Sequence, residues 1–436
     1  MSCGDRCYRV RSFAAELRGR PDRLRGVNSR APQGWRSLLV AYAITSTVEA
    51  LGVSQIFAYL PLRLREIGLP EAEIPAFTGI FTSLIFVFGI LLVPFWGVWA
   101  DKYSRRAVIV RSAVVEAIVF AGVAVAQEPW QLAAALLLTG LQLGNTGVML
   151  AALRDVTPPG RIGTMSALFG ATGPIGFAIG PVIAGLMIDG MGLTLPDVFW
   201  VSAALSAAIV VVLLVGTREV RPEVVPAGRV VELARNAVLG VLRDRGVRRL
   251  FIIFGVAILA NQMYRPFLPI LVEGIFGSGA GLASAIALVT GTAALVGAFV
   301  SPVSGPIGDR IGFRPVLSAS LIGGGIVVAL MPLAPAVGWL ALLAAVYAAL
   351  QAAVQAMMFG LIATEAPPER RSATLNLVLL PLYVAGIIGP SLGALVAAGT
   401  GVEGVFPAAG VVFLLGGLGI AGVLRRVREA RRARVG

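Results

Sequence analysis

Histidine is absent from the 436-residue chain, lysine occurs once (Lys102), and only 14% of the residues are charged. Each shortage excludes something. Without histidine there is no Ser-His or Cys-His nucleophile pair and no His-ligated metal site. Lys102 follows Asp101, so no P-loop Gly-Lys-Ser/Thr is present to cradle the phosphates of ATP. The two cysteines, Cys3 and Cys7, have no histidine near them to complete a metal set. They read as free thiols of a reducing compartment, and no metal or cofactor is expected. A soluble domain carries about 25% charged residues. At 14%, with 57% hydrophobic residues and a mean hydropathy of +0.86, the chain reads as an integral membrane protein.

The formal net charge of +13 does not point to nucleic acid. Such binding needs basic residues gathered on a soluble face with aromatic side chains for stacking. Here the arginines fall in short segments between twelve apolar runs, near 38–60, 75–98, 107–126, 130–152, 163–187, 197–216, 250–272, 281–303, 315–333, 338–361, 374–398 and 405–424. Each approaches the roughly 20 residues that cross a bilayer as a helix. With both chain ends cytoplasmic, 33 of the 36 Lys and Arg residues fall on the cytoplasmic side, counting Arg111 with the second-to-third connection. Arg63 and Arg65 lie outside, and Arg265 falls within the seventh span. The positive-inside rule demands such asymmetry, and an error in span number would scramble it.

The expected organisation starts with a basic cytoplasmic tail over 1–36, which lacks the apolar core of a signal peptide. Six spans follow over 37–216, then a cytoplasmic loop over 217–249 and six spans over 250–424. A basic cytoplasmic tail over 425–436 ends the chain. Within the loop, Val230 to Arg249 can form an amphipathic surface helix. The expected location is the plasma membrane, the inner membrane of a bacterial cell.

The second six spans repeat the first. Tyr59-Leu60-Pro61-Leu62 returns as Phe267-Leu268-Pro269-Ile270, and the Gly97 to Lys102 segment returns as Gly305 to Arg310, both 208 residues on. Pro158-Pro159-Gly160-Arg161 returns as Pro367-Pro368-Glu369-Arg370, and Gly180-Pro181 as Gly389-Pro390, both 209 on. Markers at nearly one offset imply two six-helix halves in the same orientation, with a substrate site between them at the midplane.

Spans, repeat and one loop motif together resemble the major facilitator superfamily over residues 36–424. Its pattern Gly-x-x-x-Asp-Arg/Lys-x-Gly-Arg-Arg/Lys is met by Gly97, Asp101, Lys102, Arg105 and Arg106, with Ser104 in place of a glycine. It is met again by Gly305, Asp309, Arg310, Gly312 and Arg314. A carboxylate at a helix end followed by arginines on a tight turn can form short charge-assisted pairs. It can also face the positive end of a neighbouring helix. The resemblance implies a latch that holds one state of an alternating-access cycle; a topological anchor is the plainer reading.

In the fifth span Gly176, Gly180, Pro181 and Gly185, with Ala167 and Ala184 at two glycine positions, are similar to the antiporter motif of the drug/proton antiporter (multidrug efflux) branch. Small residues at these spacings also serve ordinary helix packing. One departure is plain. That branch commonly carries an arginine inside the fourth span, where this chain has Leu136 or Thr139, so proton coupling here must use another group or be absent.

Ionisable groups inside a membrane are costly and are functional candidates by default. Glu49 lies about 12 residues, roughly 18 Å, into the first span, near the midplane. It is the first candidate for proton coupling or cation binding. Glu116 in the third span is the second, with a hydrogen-bonded structural acid as its alternative. Arg265 lies nearer the outer face, as an outer-gate or anion-binding group or as a snorkelling side chain.

By resemblance, the first, fourth, seventh and tenth spans line the cavity. Candidate cavity residues are then Gln142, Asn145 and Thr146 on the fourth and Asn261, Gln262 and Tyr264 on the seventh. Tyr347, Gln351 and Gln355 join them at i, i+4 and i+8 of the tenth, on one helix face. Hydrogen bonding between helices would satisfy these groups equally well.

The expected fold is an all-α integral membrane protein of twelve transmembrane helices in two parallel six-helix repeats. The leading functional expectation is a monomeric secondary active transporter, embedded in the lipid bilayer, that works by alternating access and exports a small amphipathic or drug-like molecule coupled to protons. A carrier of a specific sugar, organic anion or lipid-like metabolite is the alternative, in which Arg265 would bind the anion. A non-transporting receptor is remote, for want of a sizeable soluble domain, and so is an enzyme.

Overall fold

Prolines, glycines and caps decide where the apolar runs start, bend and stop. The computed structural model describes residues 34–222, 225–243, 245–365 and 380–435, and every regular element among them is helical. Twelve helices are long and apolar enough to cross a membrane. The first six are α1 (Trp35–Glu66), α2 (Ile74–Lys102), α3 (Arg105–Val125), α4 (Pro129–Val156), α5 (Pro159–Gly190) and α6 (Leu195–Gly216). The second six are α7 (Phe251–Phe276), α8 (Leu282–Ile311), α9 (Phe313–Leu333), α10 (Val337–Leu361), α11 (Leu380–Thr400) and α12 (Val402–Gly422). A linker helix, Val230–Arg243, stands where the amphipathic segment is predicted. The tail residues 1–33, the repeat marker Pro367 to Arg370 and the side chains of 425–436 lie outside the described residues.

Local chemistry accounts for the helix ends. Ser104 caps α3, its hydroxyl accepting from the Ala107 N–H at 3.0 Å. Thr194 and Asp197 form a capping box at the start of α6. Arg63, predicted as an outer-loop charge, is buried: its guanidinium donates to the carbonyls of Val123, Ala124 and Ala126 at the end of α3. α8 runs to Ile311, beyond the predicted 303, with Pro302 and Pro306 inside it. A membrane helix tolerates proline where its neighbours satisfy the freed carbonyls.

Two spans are interrupted. α4 consists of Pro129–Gln142 and Asn145–Val156, parted at Leu143 and Gly144. Gly144 has φ of +98°, a left-handed conformation that glycine adopts without strain. α7 tightens into a 3-10 turn at Arg265–Phe267, where Pro266 cannot continue the α-helical ladder.

The helix contacts carry the sequence repeat into space. α1 packs on α5 and α6, α2 on α4, and α3 on α4 and α6. Raise each number by six and the principal contacts of the second half appear: α7 on α11 and α12, α8 on α10, and α9 on α10 and α12. Between the halves, α2 meets α11 and α5 meets α8, contacts that exchange under the same operation. Residues 35–436 form one compact unit.

Close approach explains the glycines of α5. A Cβ at Gly176 would strike the Thr47 carbonyl, and one at Gly180 the Leu51 carbonyl and the Ser54 hydroxyl, all on α1. A Cβ at Gly185 would press on Ser284 Cα of α8 at 3.2 Å, across the two halves.

Candidate functional site

Glu49 stands near the middle of α1 and meets α4 at its break. Gln142 Nε2 donates to Glu49 Oε1 at 3.2 Å, and Asn145 Nδ2 donates to Glu49 Oε2 at 2.8 Å. The two donors flank Leu143 and Gly144, so the interruption of α4 is what turns both amides toward α1. It also frees the carbonyls of Gln142 and Leu143. α3 supplies the missing donors: Ser112 Oγ reaches Gln142 O at 2.8 Å, and Arg111 Nη2 reaches Gln142 O and Leu143 O at 3.3 and 3.4 Å. The Arg111 guanidinium rests 3.8 Å from the ring centre of Trp96 on α2, in cation–π geometry.

Arg111 is the site residue that sequence reasoning misses. Counted there with a basic connection, it lies inside α3 and faces α4. The available signal is its position within the predicted span 107–126. Glu116, farther along α3, is buried, and its Oε1 has no partner among the described residues. Glu49 is near enough to feel the charge of Arg111, and Glu116 to feel that of Glu49. The amides suit Glu49 in either protonation state. They donate to the carboxylate, and a turn of the Gln142 amide would offer Oε1, which has no partner, to a protonated acid.

On the second half, Asn261 Nδ2 donates to Tyr347 Oη at 2.6 Å, and Tyr347 Oη donates to Gln351 Oε1 at 3.2 Å. Tyr264 stacks edge-on against Tyr347, ring centres 5.3 Å apart. These four form one α7–α10 cluster. Gln355, two turns on from Tyr347, is exposed, and so is Thr146 on α4. Gln262 is buried against Gly389 of α11 and stands apart from the cluster. Arg265, at the turn in α7, lies 4.5 and 4.8 Å from the ring centres of Phe57 on α1 and Phe177 on α5. Its guanidinium is held between aromatic rings of the other half. Phe57 is two turns along α1 from Glu49, so the arginine occupies a separate level.

The two loop motifs differ. Arg105 is buried and pairs with Asp101 at 2.9 Å and Asp155 at 2.6 Å. Its backbone N–H donates to Glu219 at 2.8 Å, and Glu219 also takes the Ser104 hydroxyl. Lys102 bonds the Gly228 carbonyl beside the linker helix, and Arg106 the Leu214 carbonyl at the end of α6. In the second copy Gly312 has φ of +100°, while Asp309 and Arg310 are exposed.

The halves are tied together on the face opposite the chain ends. Arg65 of α1 pairs with Glu273 of α7 at 2.9 Å. Asp189 of α5 accepts from the Gly281 and Ser284 N–H groups at the start of α8, at 3.1 and 2.7 Å. Ser83 of α2 meets Ile387 O and Ser391 Oγ of α11 at 2.8 and 3.0 Å. Tyr59 Oη spans the carbonyls of Pro181 and Ala283 at 2.9 and 3.0 Å. In the α1–α2 loop, Glu71 takes Arg65 Nη2 at 2.8 Å, and that guanidinium holds its carboxyl below the usual value.

A sequence model of the family described as Major Facilitator Superfamily matches residues 38–289 and, separately, 250–436. The Multidrug resistance protein MdtG of Proteus mirabilis is 32% identical over 388 residues, 85% of this chain and 92% of that one. MdtG of Yersinia enterocolitica is 30% identical over 401 residues, 89% and 94% of the two chains. Among solved structures, the nucleoside transporter NupG superposes with a TM-score of 0.75 at 16% identity, over 88% of this chain and 99% of that one. The human organic anion transporter MFSD10 gives 0.67 at 18% identity, over 90% and 100%. At those identities the structural likeness speaks to the fold alone.

Proposed function

We propose that this chain, which belongs to the Major Facilitator Superfamily and is a multi-pass membrane transporter, exports small amphipathic or drug-like molecules in exchange for protons carried by Glu49. The observation that carries this reading is a carboxyl group at the middle of α1, held by two amides at the break in α4. Interrupted helices at membrane depth are where transporters of this type bind ions and substrate. The substrate class is supported by the name that the MdtG relatives bear.

The contacts on the face opposite the chain ends favour a site that opens toward the chain ends. With both ends cytoplasmic, as the distribution of Lys and Arg supports, this is the inward-facing arrangement of two six-helix halves in the plasma membrane. Glu49 there releases its proton to the cytoplasm, and the carboxylate favours a cationic or polar substrate beside it. Rocking of the halves carries both outward. A proton from outside then neutralises Glu49, and substrate leaves. The Asp101–Arg105–Asp155 network serves as the latch on the cytoplasmic side.

A second reading rests on Arg265, which touches aromatic rings and pairs with no carboxylate among the described residues. It is a carrier of an organic anion. The test uses purified protein in proteoliposomes that enclose a pH-sensitive dye, challenged in turn with lipophilic cations, neutral drugs, sugars and organic anions. Proton movement triggered by cations or neutral amphiphiles is expected. A response confined to sugars or anions would replace this reading with the second.

A further inference from the structure

We infer that Arg111 of α3 is the positioning cation of the Glu49 site, supplied by a neighbouring helix at the place where α4 breaks. The inference rests on the reading of Glu49 as the proton carrier. It answers the departure noted in the sequence, an α4 without the arginine that the drug-exporting branch carries there.

Three observations support it. The first is the incomplete bonding of the guanidinium. Arginine has five N–H donors, and Arg111 makes two long hydrogen bonds, both from Nη2, to the carbonyls that the α4 break frees. Its Nε and Nη1 are shut off from solvent without an acceptor among the described residues. A buried cation with unmet donors is strongly unfavourable unless a charge or acceptor answers it.

The second is the set of groups around it. α2 presents Trp96, α4 presents the Gln142 and Leu143 carbonyls, and α3 itself carries Ser112 and Glu116. From α1 comes Glu49, and Tyr383 of α11 lies near enough to feel that carboxyl. Glu49 is thus the carboxylate that another helix brings to Arg111. Gln142 joins the two directly, its side chain donating to Glu49 while its carbonyl accepts from Arg111.

The third is where unmet polar atoms collect. Among the described residues, Trp96 Nε1, Arg111 Nε and Nη1, Glu116 Oε1, Thr139 Oγ1 and Gln142 Oε1 are buried without partners, and beyond them only Thr78 Oγ1 is. α3 and α4 run antiparallel with Ser112 against Gln142, which sets Glu116 against the turn of Thr139. Unmet polarity is therefore concentrated at Arg111 and along the α3–α4 contact, beside the carboxyl group that Gln142 holds. When Glu49 gives its proton to water, Arg111 balances the new carboxylate. When Glu49 is protonated, the guanidinium stays on the α4 carbonyls. The bond that changes is the one at Gln142, whose amide donates to the carboxylate and turns to accept from the protonated acid.

The test is carbodiimide labelling of Glu49 in proteoliposomes, read by peptide mass across a pH series, since the reagent modifies the protonated acid. Removing an opposite charge from beside a carboxylate moves its titration by about 1–3 pH units. Arg111→Gln should move the labelling midpoint to higher pH by about that amount, and Arg111→Lys, which keeps the charge, should leave it near wild type. An unmoved midpoint in Arg111→Gln overturns the inference. So does an Arg111→Lys shift as large, which would make Arg111 a plug for two carbonyls and nothing more. Where Arg111→Gln fails to fold, Arg111→Lys decides alone: an unshifted midpoint supports the inference and a shifted one overturns it. If wild-type Glu49 does not titrate at all, the proton-carrier reading falls, and this inference with it.

Discussion

Where the first half holds Glu49 and Glu116, the second half holds Ala257, 208 residues on, and at the counterpart of Glu116 either Gly324 or Gly325. The helices correspond contact for contact, but their chemistry does not. α4 is broken, and its freed carbonyls are answered by Ser112 and a charged arginine. α10 runs unbroken from Val337 to Glu365 and bonds through neutral groups of Asn261, Tyr347 and Gln351. The loop motifs divide the same way, one a buried ion-pair network and the other carrying an exposed Asp309 and Arg310. A repeated scaffold lets the halves rock as equals. The mid-span carboxyl groups of Glu49 and Glu116 belong to one of them.

The largest effect should come where the halves are alike. Gly180→Leu drives a side chain into the α1 backbone, and Gly389→Leu does the same to Gln262 and Met263 on α7. Overpacking typically costs about 1–3 kcal/mol, and collision with backbone should exceed that. Both variants should lose the folded peak in size-exclusion chromatography. Tolerance of one alone would break the structural equivalence of the halves.

Next come the two loop motifs, where the halves should differ. Arg105→Ala leaves Asp101 and Asp155 without their cation. Since both carboxylates are 41% exposed, the loss should be about 1–3 kcal/mol, below the cost of a fully buried pair. Asp309→Ala should stay within about 0.5 kcal/mol. Thermal unfolding in detergent would measure both, and equal shifts would remove the asymmetry.

A further pair of effects separates coupling from binding. Asn145→Ala takes from Glu49 a hydrogen bond to a charged group, worth about 1.5–3 kcal/mol, and should slow proton-driven transport roughly tenfold or more. Asn261→Ala removes a neutral bond of about 0.5–1.5 kcal/mol. It should raise the half-saturating substrate concentration a few-fold and leave the number of protons exchanged unchanged. The smallest effect concerns Glu71. Its carboxyl is held below the usual value by Arg65, so the pairing that pins the α1–α2 loop to α1 is full above the ordinary carboxylate range and is lost as the pH falls through the lowered value. The only native cysteines, Cys3 and Cys7, can be replaced by serine. A spin label at Ala72→Cys should then report a slight loosening of that loop on acidification.

Much of this was legible in the residues. Spans, repeat and both loop motifs follow from apolar length and spacing, and Glu49 from its depth in α1. The rest depends on facts that spacing does not carry. Arg111 looks like a loop charge until α4 breaks opposite it, and the break turns on one glycine with positive φ. Arg63 reads as an outer-loop charge but caps α3 from a distance of sixty residues in sequence. Gln262 shares the seventh span with Asn261, yet a one-residue step of about 100° around the helix turns it to α11. The extension of α8 through Pro302 and Pro306 depends on neighbours that no local window contains.

The central claim is that Glu49 carries the proton, and one comparison tests it most directly. Wild type and Glu49→Gln are reconstituted at equal density, and each is assayed twice with the same lipophilic cation: uptake driven by a pH gradient, and exchange of substrate at equal pH. With Glu49 as the proton carrier, Glu49→Gln should lose gradient-driven uptake and keep most of the exchange. A mutant with the full driven rate would contradict it.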